Sequence, residues 1–129
     1  CWAVSAPSET VNTRGGQAVS VRRGDILLFA TYRQGGGDTA EVSFTGGYPF
    51  AEGSTIEMVI GSDTFQLFTD GQWGWAGSPE DDARILAALR RGQNAVLTAR
   101  SSRGTTTRDT FSLFGITAAT DEAQRRCNE

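Results

Sequence analysis

Short stretches of alternating apolar and polar residues, separated by glycine-containing turns, limit the folds open to this chain more than any other feature. The segment TIEMVIGSDTFQLFTDG, residues 55–71, shows the pattern on both sides of Gly61-Ser62-Asp63. A period of two places apolar residues on one face of a strand, and glycine beside aspartate favours a tight turn between two strands. With 16 glycines and many threonines and serines, the chain is predicted to be mainly β.

Other segments have the same β-rich character. Ile26–Arg33, with the sequence ILLFATYR, is apolar on both alternating faces through Phe29, which predicts a central strand covered on both sides. Residues 95–101 and 106–114 are predicted to be the arms of a hairpin, and Gly104 at its tip can take a positive φ. Further short strands are predicted at 2–6, 17–21, 40–45, 73–75 and 116–119, with a loop at 7–16 and a terminal helical turn at 121–127.

Only one segment carries a strong helix signal. Ser78 can cap the amino end, Pro79 suits the first helical position, and three acidic residues follow where the helix dipole favours negative charge. An apolar stripe, two arginines and Gly92 complete a helix predicted to span about 79–91. Residues 1–129 are therefore predicted to form a single domain of seven to nine strands and one packed α-helix, which is compatible with a β-sandwich.

Charge and the lack of histidine exclude several classes of function. The net charge is -3, and all 12 basic residues are arginine. Such a chain lacks the basic surface that general binding to nucleic acid or anionic membranes needs, although local basic patches remain. Without histidine it also lacks the usual general base and the commonest metal ligand near neutral pH. We therefore predict a protein that is not an enzyme and that has no cofactor and no metal.

The two cysteines, Cys1 and Cys127, stand at opposite ends of the chain. A disulfide between them would place the protein in an oxidising compartment. The alternative is that Cys1 is the acylated residue of a lipoprotein, which leaves Cys127 unpaired. No apolar run approaches the roughly 20 residues that span a bilayer, and no signal peptide is visible. We expect a mature product, periplasmic, secreted or at the cell surface, from which an export signal has been removed.

Three segments together resemble a known family. They are GYPF at 47–50, FQLFTDG at 65–71 with a following tryptophan and an acidic helix that ends in ALRRG, and SSRGTTTRDTFSLFG at 101–115. The last is the most specific, because several unlike residues recur in order: Gly104, Asp109, Ser112, Leu113 and Gly115. Over residues 26–127 the chain resembles the invasion-associated locus B family of exported α-proteobacterial proteins, and Cys127 fits the closing cysteine of that family.

The resemblance implies an immunoglobulin-like β-sandwich, export to the periplasm or cell surface, and an association with host-cell invasion in pathogenic members. It brings no catalytic residue set. Family members often carry a cysteine a few residues after the amino-terminal tryptophan, where this chain has Ser5. Here Cys1 precedes Trp2 instead, so the resemblance leaves the partner of Cys127 open.

Trp73 and Trp75 lie two residues apart and are predicted to share one face of a short strand. Burial beneath the apolar stripe of the helix is the simpler interpretation. The alternative is an exposed platform on which sugars stack, with Asp70 beside it. Asp70 and the acidic residues at 80–82 also form the only acidic cluster, but their spacing matches no cation-binding loop.

Three arginines, Arg100, Arg103 and Arg108, gather at one hairpin. A solvated turn explains them, and an anion-contacting tip is the alternative. Asp109 is expected to accept hydrogen bonds from backbone N–H groups or to pair with Arg100 or Arg103, because no histidine or lysine is present to activate the nearby serines. Arg23-Gly24-Asp25 spells an adhesion tripeptide, but Gly-Asp before a buried strand is typical of a turn.

These observations lead to one expected function and two alternatives. The first is a non-enzymatic exported β-sandwich that works by contact with an unknown protein partner in the envelope or on a host cell. The second is a glycan-binding module that uses Trp73, Trp75 and Asp70. The third, a hydrolase built on carboxylates, is disfavoured because no identifiable motif places a pair of acids.

Overall fold

The computed structural model describes residues 1–129 and is mainly β, as predicted. The chain forms ten strands and two helices. The strands are β1 (Trp2–Ser5), β2 (Glu9–Arg14), β3 (Gln17–Ala18), β4 (Leu27–Tyr32), β5 (Ala40–Thr45), β6 (Thr55–Ile60), β7 (Asp63–Asp70), β8 (Trp73–Trp75), β9 (Asn94–Arg100) and β10 (Thr106–Ser112). The helices are α1 (Pro79–Arg91) and α2 (Ile116–Cys127).

All ten strands belong to one sheet, in the order β1-β4-β5-β8-β7-β6-β9-β10-β2-β3. Phe44 on β5 and Phe111 on β10 lie five strand positions apart in that order, which is about 24 Å along a flat sheet at the usual strand spacing. The centroids of their rings are nevertheless only 6.0 Å apart. The sheet therefore curls into a half-barrel whose concave face closes around the core.

The predicted immunoglobulin-like sandwich is not confirmed. A sandwich has two separate sheets that face each other, whereas here every strand is hydrogen-bonded into one sheet. The strand count also exceeds the predicted seven to nine, because Glu9–Arg14, within the predicted loop, forms β2 and pairs with β10.

The main core lies on the concave face and contains 16 buried residues. It includes the alternating residues of the predicted hairpin, such as Ile56, Met58 and Leu67, all of which are fully buried. Ile85 and Leu89 of α1 belong to the same cluster. The apolar stripe predicted from the helical spacing therefore closes the open side of the core.

The helix predicted at 79–91 is α1, and its bounds are those expected. Ser78 caps it by accepting a hydrogen bond from the backbone N–H of Asp81 at 3.1 Å. Asp82, in the first turn, accepts a hydrogen bond from the backbone N–H of Val42 at 2.9 Å. Strand β8 pairs with β5 only at residues 43–45 of β5, so it offers no acceptor to the N–H of Val42. The carboxylate of Asp82 supplies that acceptor, and the hydrogen bond fixes α1 to β5.

Replacement of Asp82 tests this junction. Burial raises the pKa of Asp82, and the hydrogen bond from Val42 opposes that shift in part. Because the pKa of Asp82 is higher in the folded than in the unfolded state, the charged carboxylate lowers the stability of the folded protein. This cost is absent below the unfolded-state pKa and is complete once the pH has risen through the folded-state pKa. We expect Asp82→Asn, which keeps an acceptor without charge, to be at least as stable as the wild type at neutral pH and to lose any advantage at about pH 3.

Asp82→Ala is the matched control, since it removes the acceptor as well as the charge. It should lower the free energy of unfolding by about 1 kcal/mol at neutral pH. Urea denaturation at both pH values measures these differences. An asparagine variant less stable than the alanine variant would contradict the assigned role.

The second helix, α2, is a correction to the sequence prediction, because residues 116–119, predicted to be a strand, form its first turn. Thr120, Ala123 and Cys127 are buried on one side of it, at a spacing that suits a helix and not a strand. The helix packs on β1 and β4 and completes a second core of seven buried residues: Ala3, Ala30, Tyr32, Ala40, Leu86, Ala123 and Cys127.

Cys1 and Cys127 form a disulfide, as predicted, with sulfurs 2.07 Å apart and Cα atoms 5.7 Å apart. The bond joins the residue before β1 to the last residue of α2. The sulfur that acylation of Cys1 would use is therefore taken by Cys127.

Candidate functional site

Both tryptophans of β8 point away from the core. Gly74, between them, is buried, and a Cβ atom at this position would lie 2.5 Å from Cδ1 of Ile56. No side chain fits at the inward position, so strand alternation places Trp73 and Trp75 on the convex side of the sheet. The expectation that at least one of them packs beneath α1 is wrong, since they are 38% and 41% exposed.

These tryptophans belong to a row of aromatic residues across neighbouring strands. Phe29 on β4 lies opposite Ser43 on β5, Ser43 opposite Trp75, and Trp75 opposite Phe68 on β7. Trp73 stacks on Trp75, with ring centroids 6.4 Å apart and planes inclined by 19°, and lies 5.7 Å from the ring of Phe29. We call Phe29, Phe68, Trp73 and Trp75 the aromatic face.

The aromatic face continues to an edge of the sheet. Val4 on β1 lies opposite Phe29, and Trp2, two residues earlier, lies on the same side of that strand. Both are exposed, as is Phe68 at 55%. Exposed apolar side chains therefore lie on β1, β8 and β7, and the half-buried Phe29 on β4 lies between the first two groups. A single scattered apolar residue would need no explanation, but a group of this size does.

Carboxylates without an ion-pair partner border this surface. Asp70 lies opposite Trp73 and extends the side of β7 that carries Phe68. Glu57 lies on the same side of β6, two residues beyond the partner of Phe68. Neither forms a salt bridge, whereas Glu41 on β5 pairs with Arg33 at 2.7 Å. Two carboxylates without an ion-pair partner therefore border the aromatic face.

Phe29 and Phe68 were absent from the predicted binding surface. The signal for Phe68 was present, because it alternates with the buried Leu67 and so had to face outward. Nothing in the sequence pairs Phe29 with β8, which lies more than 40 residues further along the chain. That contact depends on the strand order.

The three hairpin arginines do not gather as one patch. Arg100 and Arg108 are exposed on β9 and β10, and neither forms an ion pair. Arg103, at the hairpin tip, lines a polar cavity together with Arg14 and Arg22. The predicted basic tip is therefore divided between two surfaces.

Asp109 pairs with Arg23, and not with Arg100 or Arg103 as expected. Nη1 of Arg23 lies 2.6 Å from Oδ1 and Nη2 lies 2.8 Å from Oδ2, with the two side chains 6% and 0% exposed. The same guanidinium donates to the carbonyl of Gly46 from Nε at 3.0 Å and from Nη2 at 2.8 Å. The arginine of Arg23-Gly24-Asp25 is thus buried, which opposes the adhesive interpretation.

The remaining residues of the SSRGTTTRDTFSLFG segment have structural positions. Gly104 at the tip has φ +87° and Gly115, which precedes α2, has φ +83°, so glycine is favoured at both. The hydroxyl of Ser101 accepts hydrogen bonds from two backbone N–H groups in the tip. The hydroxyl of Ser112 accepts one from the N–H of Phe114 at 3.4 Å. The segment builds a hairpin and a helix start.

Acidic residues are also dispersed. The structure contains no group of three or more cysteine or carboxylate side chains arranged to hold a metal ion. A shallow groove beside Trp75 includes Glu41 and Asp82, but Arg33 and the backbone N–H of Val42 engage these two carboxylates. Asp70 does not join the acids of α1 there.

Comparison with known proteins gives one match. A family model described as invasion associated locus B (IalB) protein matches residues 3–124 of the 129. Searches of curated proteins and of solved structures found no significant match. Neither helix is long and apolar enough to cross a membrane.

Proposed function

The chain belongs to the invasion-associated locus B family, and from this premise we propose that it is an exported, non-enzymatic protein that acts by protein-protein contact through the aromatic face. Membership of the family suggests an invasion-associated bacterial protein. The contact mode rests on one observation: the exposed side chains of Phe68, Trp73 and Trp75, with the half-buried Phe29 beside them, form a contiguous aromatic surface on the convex side of the sheet.

The shape of this surface favours a protein partner. Trp and other aromatic side chains supply most of the binding energy in many protein interfaces, and a contiguous exposed apolar patch is typical of such a surface. The aromatic face lies across paired strands, with its rings on a convex sheet and not in a cleft. A small ligand usually binds in a concave pocket.

The charges around the face indicate the chemistry of the partner. Asp70 and Glu57 have no ion-pair partner in the protein. Basic side chains on a partner would complement them, and arginine is enriched in protein interfaces together with aromatic residues. The surface therefore suits an apolar segment bordered by arginine or lysine.

A glycan is the second candidate, supported by the stacking of Trp73 on Trp75 with Asp70 opposite Trp73. Nearly parallel indoles offer flat apolar area and two N–H donors to a sugar. The affinity for a neutral glycan would depend little on salt concentration, whereas the affinity for a basic protein would fall as salt is added.

Export and the absence of catalysis are supported by separate features. The disulfide between Cys1 and Cys127 is of a kind that persists in oxidising compartments such as the periplasm or the cell exterior. The chain has no histidine, and the two carboxylates in the groove beside Trp75 are engaged by Arg33 and by Val42.

The test compares the wild type with Trp73→Ala/Trp75→Ala as bait in envelope extract. We expect the double variant to remain folded and to lose capture of a protein that the wild type retains. With that protein purified, its affinity for the double variant should fall by at least about tenfold, as expected for interface hot spots. Titration calorimetry measures the loss.

Phe114→Ala is the matched control, because Phe114 is 98% exposed but lies between β10 and α2, outside the aromatic face. It should bind like the wild type. Equal capture by the wild type and the double tryptophan variant would contradict the proposal. Tryptophan-dependent binding to a polysaccharide array, with no captured protein, would favour the glycan.

A further inference from the structure

A polar cavity of about 550 Å³ lies where the end of β2 and the tip of the β9–β10 hairpin meet the segment that follows β5. Its walls come from five parts of the chain: the end of β2, residues 21–23, residues 47–49, Gln72 before β8, and the hairpin residues 101–107. Its volume is within the range of small-molecule sites in proteins. None of its lining residues belongs to the aromatic face.

The cavity is basic although the protein is acidic overall. Its lining includes Arg14, Arg22, Arg23 and Arg103, and no aspartate or glutamate. Arg23 is neutralised by the buried Asp109 behind it. The other three arginines form no ion pair, so three positive charges face one cavity in a protein whose net charge is -3.

Neutral donors complete the lining. One guanidinium nitrogen of Arg14 donates to the hydroxyl of Thr105 at 2.7 Å, which orients its remaining N–H groups. Ser101 already accepts hydrogen bonds from the N–H groups of Arg103 and Thr105, at 3.2 and 3.0 Å. Its hydroxyl proton is therefore left to donate. Ser102 and Tyr48 also line the cavity.

The walls are fixed before any ligand arrives. The N–H of Ser102 donates to the carbonyl of Pro49 at 2.9 Å, and the N–H of Gly24 donates to the carbonyl of Gly47 at 2.9 Å. A Cβ atom on Gly47 would lie 2.6 Å from the carbonyl oxygen of Gly24, so the two segments are in direct contact. Preorganised donors reduce the entropy lost on binding.

We propose that this cavity binds a phosphate group carried by a small molecule or by a lipid headgroup. Arginine forks match phosphate oxygens in geometry as well as charge. Three guanidinium groups without a carboxylate partner suit a dianion better than a neutral sugar. The site is independent of the proposed protein contact, because it shares no residue with the aromatic face.

The experiment uses the full chain, with glucose 6-phosphate as the soluble probe and vesicles of phosphatidylcholine with or without phosphatidic acid as the headgroup probe. Arg103→Gln removes one cavity arginine whose side chain makes no other bond. Its affinity for the phosphate probe should fall by at least about tenfold. Arg108→Gln is the control, since it makes the same change in net charge on the same hairpin but outside the cavity.

The possible outcomes distinguish a small phosphorylated ligand from a lipid headgroup, and the phosphate site from the proposed protein contact. Binding of glucose 6-phosphate that Arg103→Gln weakens and Arg108→Gln does not supports a small phosphorylated ligand. The same pattern with phosphatidic acid vesicles alone supports a headgroup. Equal losses in both variants, or no binding to either probe, would overturn the site. Trp73→Ala/Trp75→Ala should bind the phosphate probe like the wild type, so failure of either proposal is distinguishable from failure of the other.

Discussion

Replacement of Asp109 by alanine is expected to lower the free energy of unfolding by about 3–5 kcal/mol, because it leaves the Arg23 guanidinium buried without its counter-charge. Asp109 is fully buried and holds Arg23 through two hydrogen bonds, at 2.6 and 2.8 Å. Arg23 in turn binds the carbonyl of Gly46 and lies over the ring of Tyr48, 5.0 Å from its centroid. Chemical denaturation measures the loss.

This cluster joins parts of the sheet that are distant in strand order. Asp109 lies on β10, and Gly46 follows directly after β5. The curled sheet brings these two strands together, and Arg23 bridges them from the segment between β3 and β4. Tyr48 adds a hydrogen bond between its hydroxyl and that of Thr107 on β10. Loss of Asp109 should therefore loosen closure of the half-barrel as well as one ion pair.

Two further variants separate charge from packing. Arg108→Ala, beside Asp109 but exposed, should change stability by less than about 0.5 kcal/mol. The double variant Arg23→Met/Asp109→Leu removes both charges together, and it should be more stable than the sum of the single losses predicts. An Asp109→Ala protein within about 1 kcal/mol of the wild type would show that the buried pair contributes little.

The local elements could be predicted because their signals are local. Alternation identified the arms of β6 and β7, and a capping serine, a proline and an acidic first turn gave the bounds of α1. Gly104 at the hairpin tip followed from the same kind of reasoning, since a positive φ favours glycine. These features depend on residues within one or two turns of each other.

The features that depend on distant neighbours could not be predicted. Three arginines precede Asp109 within nine residues, but it pairs with Arg23, 86 residues away. The outward direction of Trp73 and Trp75 depends on how closely Ile56 approaches Gly74. One curled sheet and two facing sheets can use the same strands, so alternation alone does not distinguish a half-barrel from a sandwich.

The candidate sites were likewise predictable only in part. Two of the four members of the aromatic face were predicted as a pair from their spacing, but the face itself requires β4, β5, β8 and β7 in that order. The cavity needs Arg14 from β2, which lay in a predicted loop with no signal to connect it to Arg103. The sequence shows which side chains could bind a partner or an anion, but the strand order decides which of them lie together.

Removal of the disulfide is the second change with a large expected effect. Cys1 and Cys127 enclose a loop with a sequence separation of 126, and the chain-entropy model assigns such a loop about 5 kcal/mol. Measured losses for native disulfides in small domains are about 2–5 kcal/mol. For a domain of this size, we expect Cys1→Ala/Cys127→Ala to lower Tm by on the order of 10–20 °C.

The loss should begin at one end of the molecule, because the disulfide belongs to the smaller core. Four of the seven residues in that cluster are alanines, which bury little apolar area and so stabilise α2 and β1 weakly without a covalent link. Hydrogen exchange in the double variant should rise first in α2 and β1, while β6 and β9 in the main core stay protected. Reductant should destabilise the wild type to the same extent and leave the variant unchanged. If α2 exchanged no faster in the variant than in the wild type, the packing of its buried face, and not the disulfide, would be what holds it on the sheet.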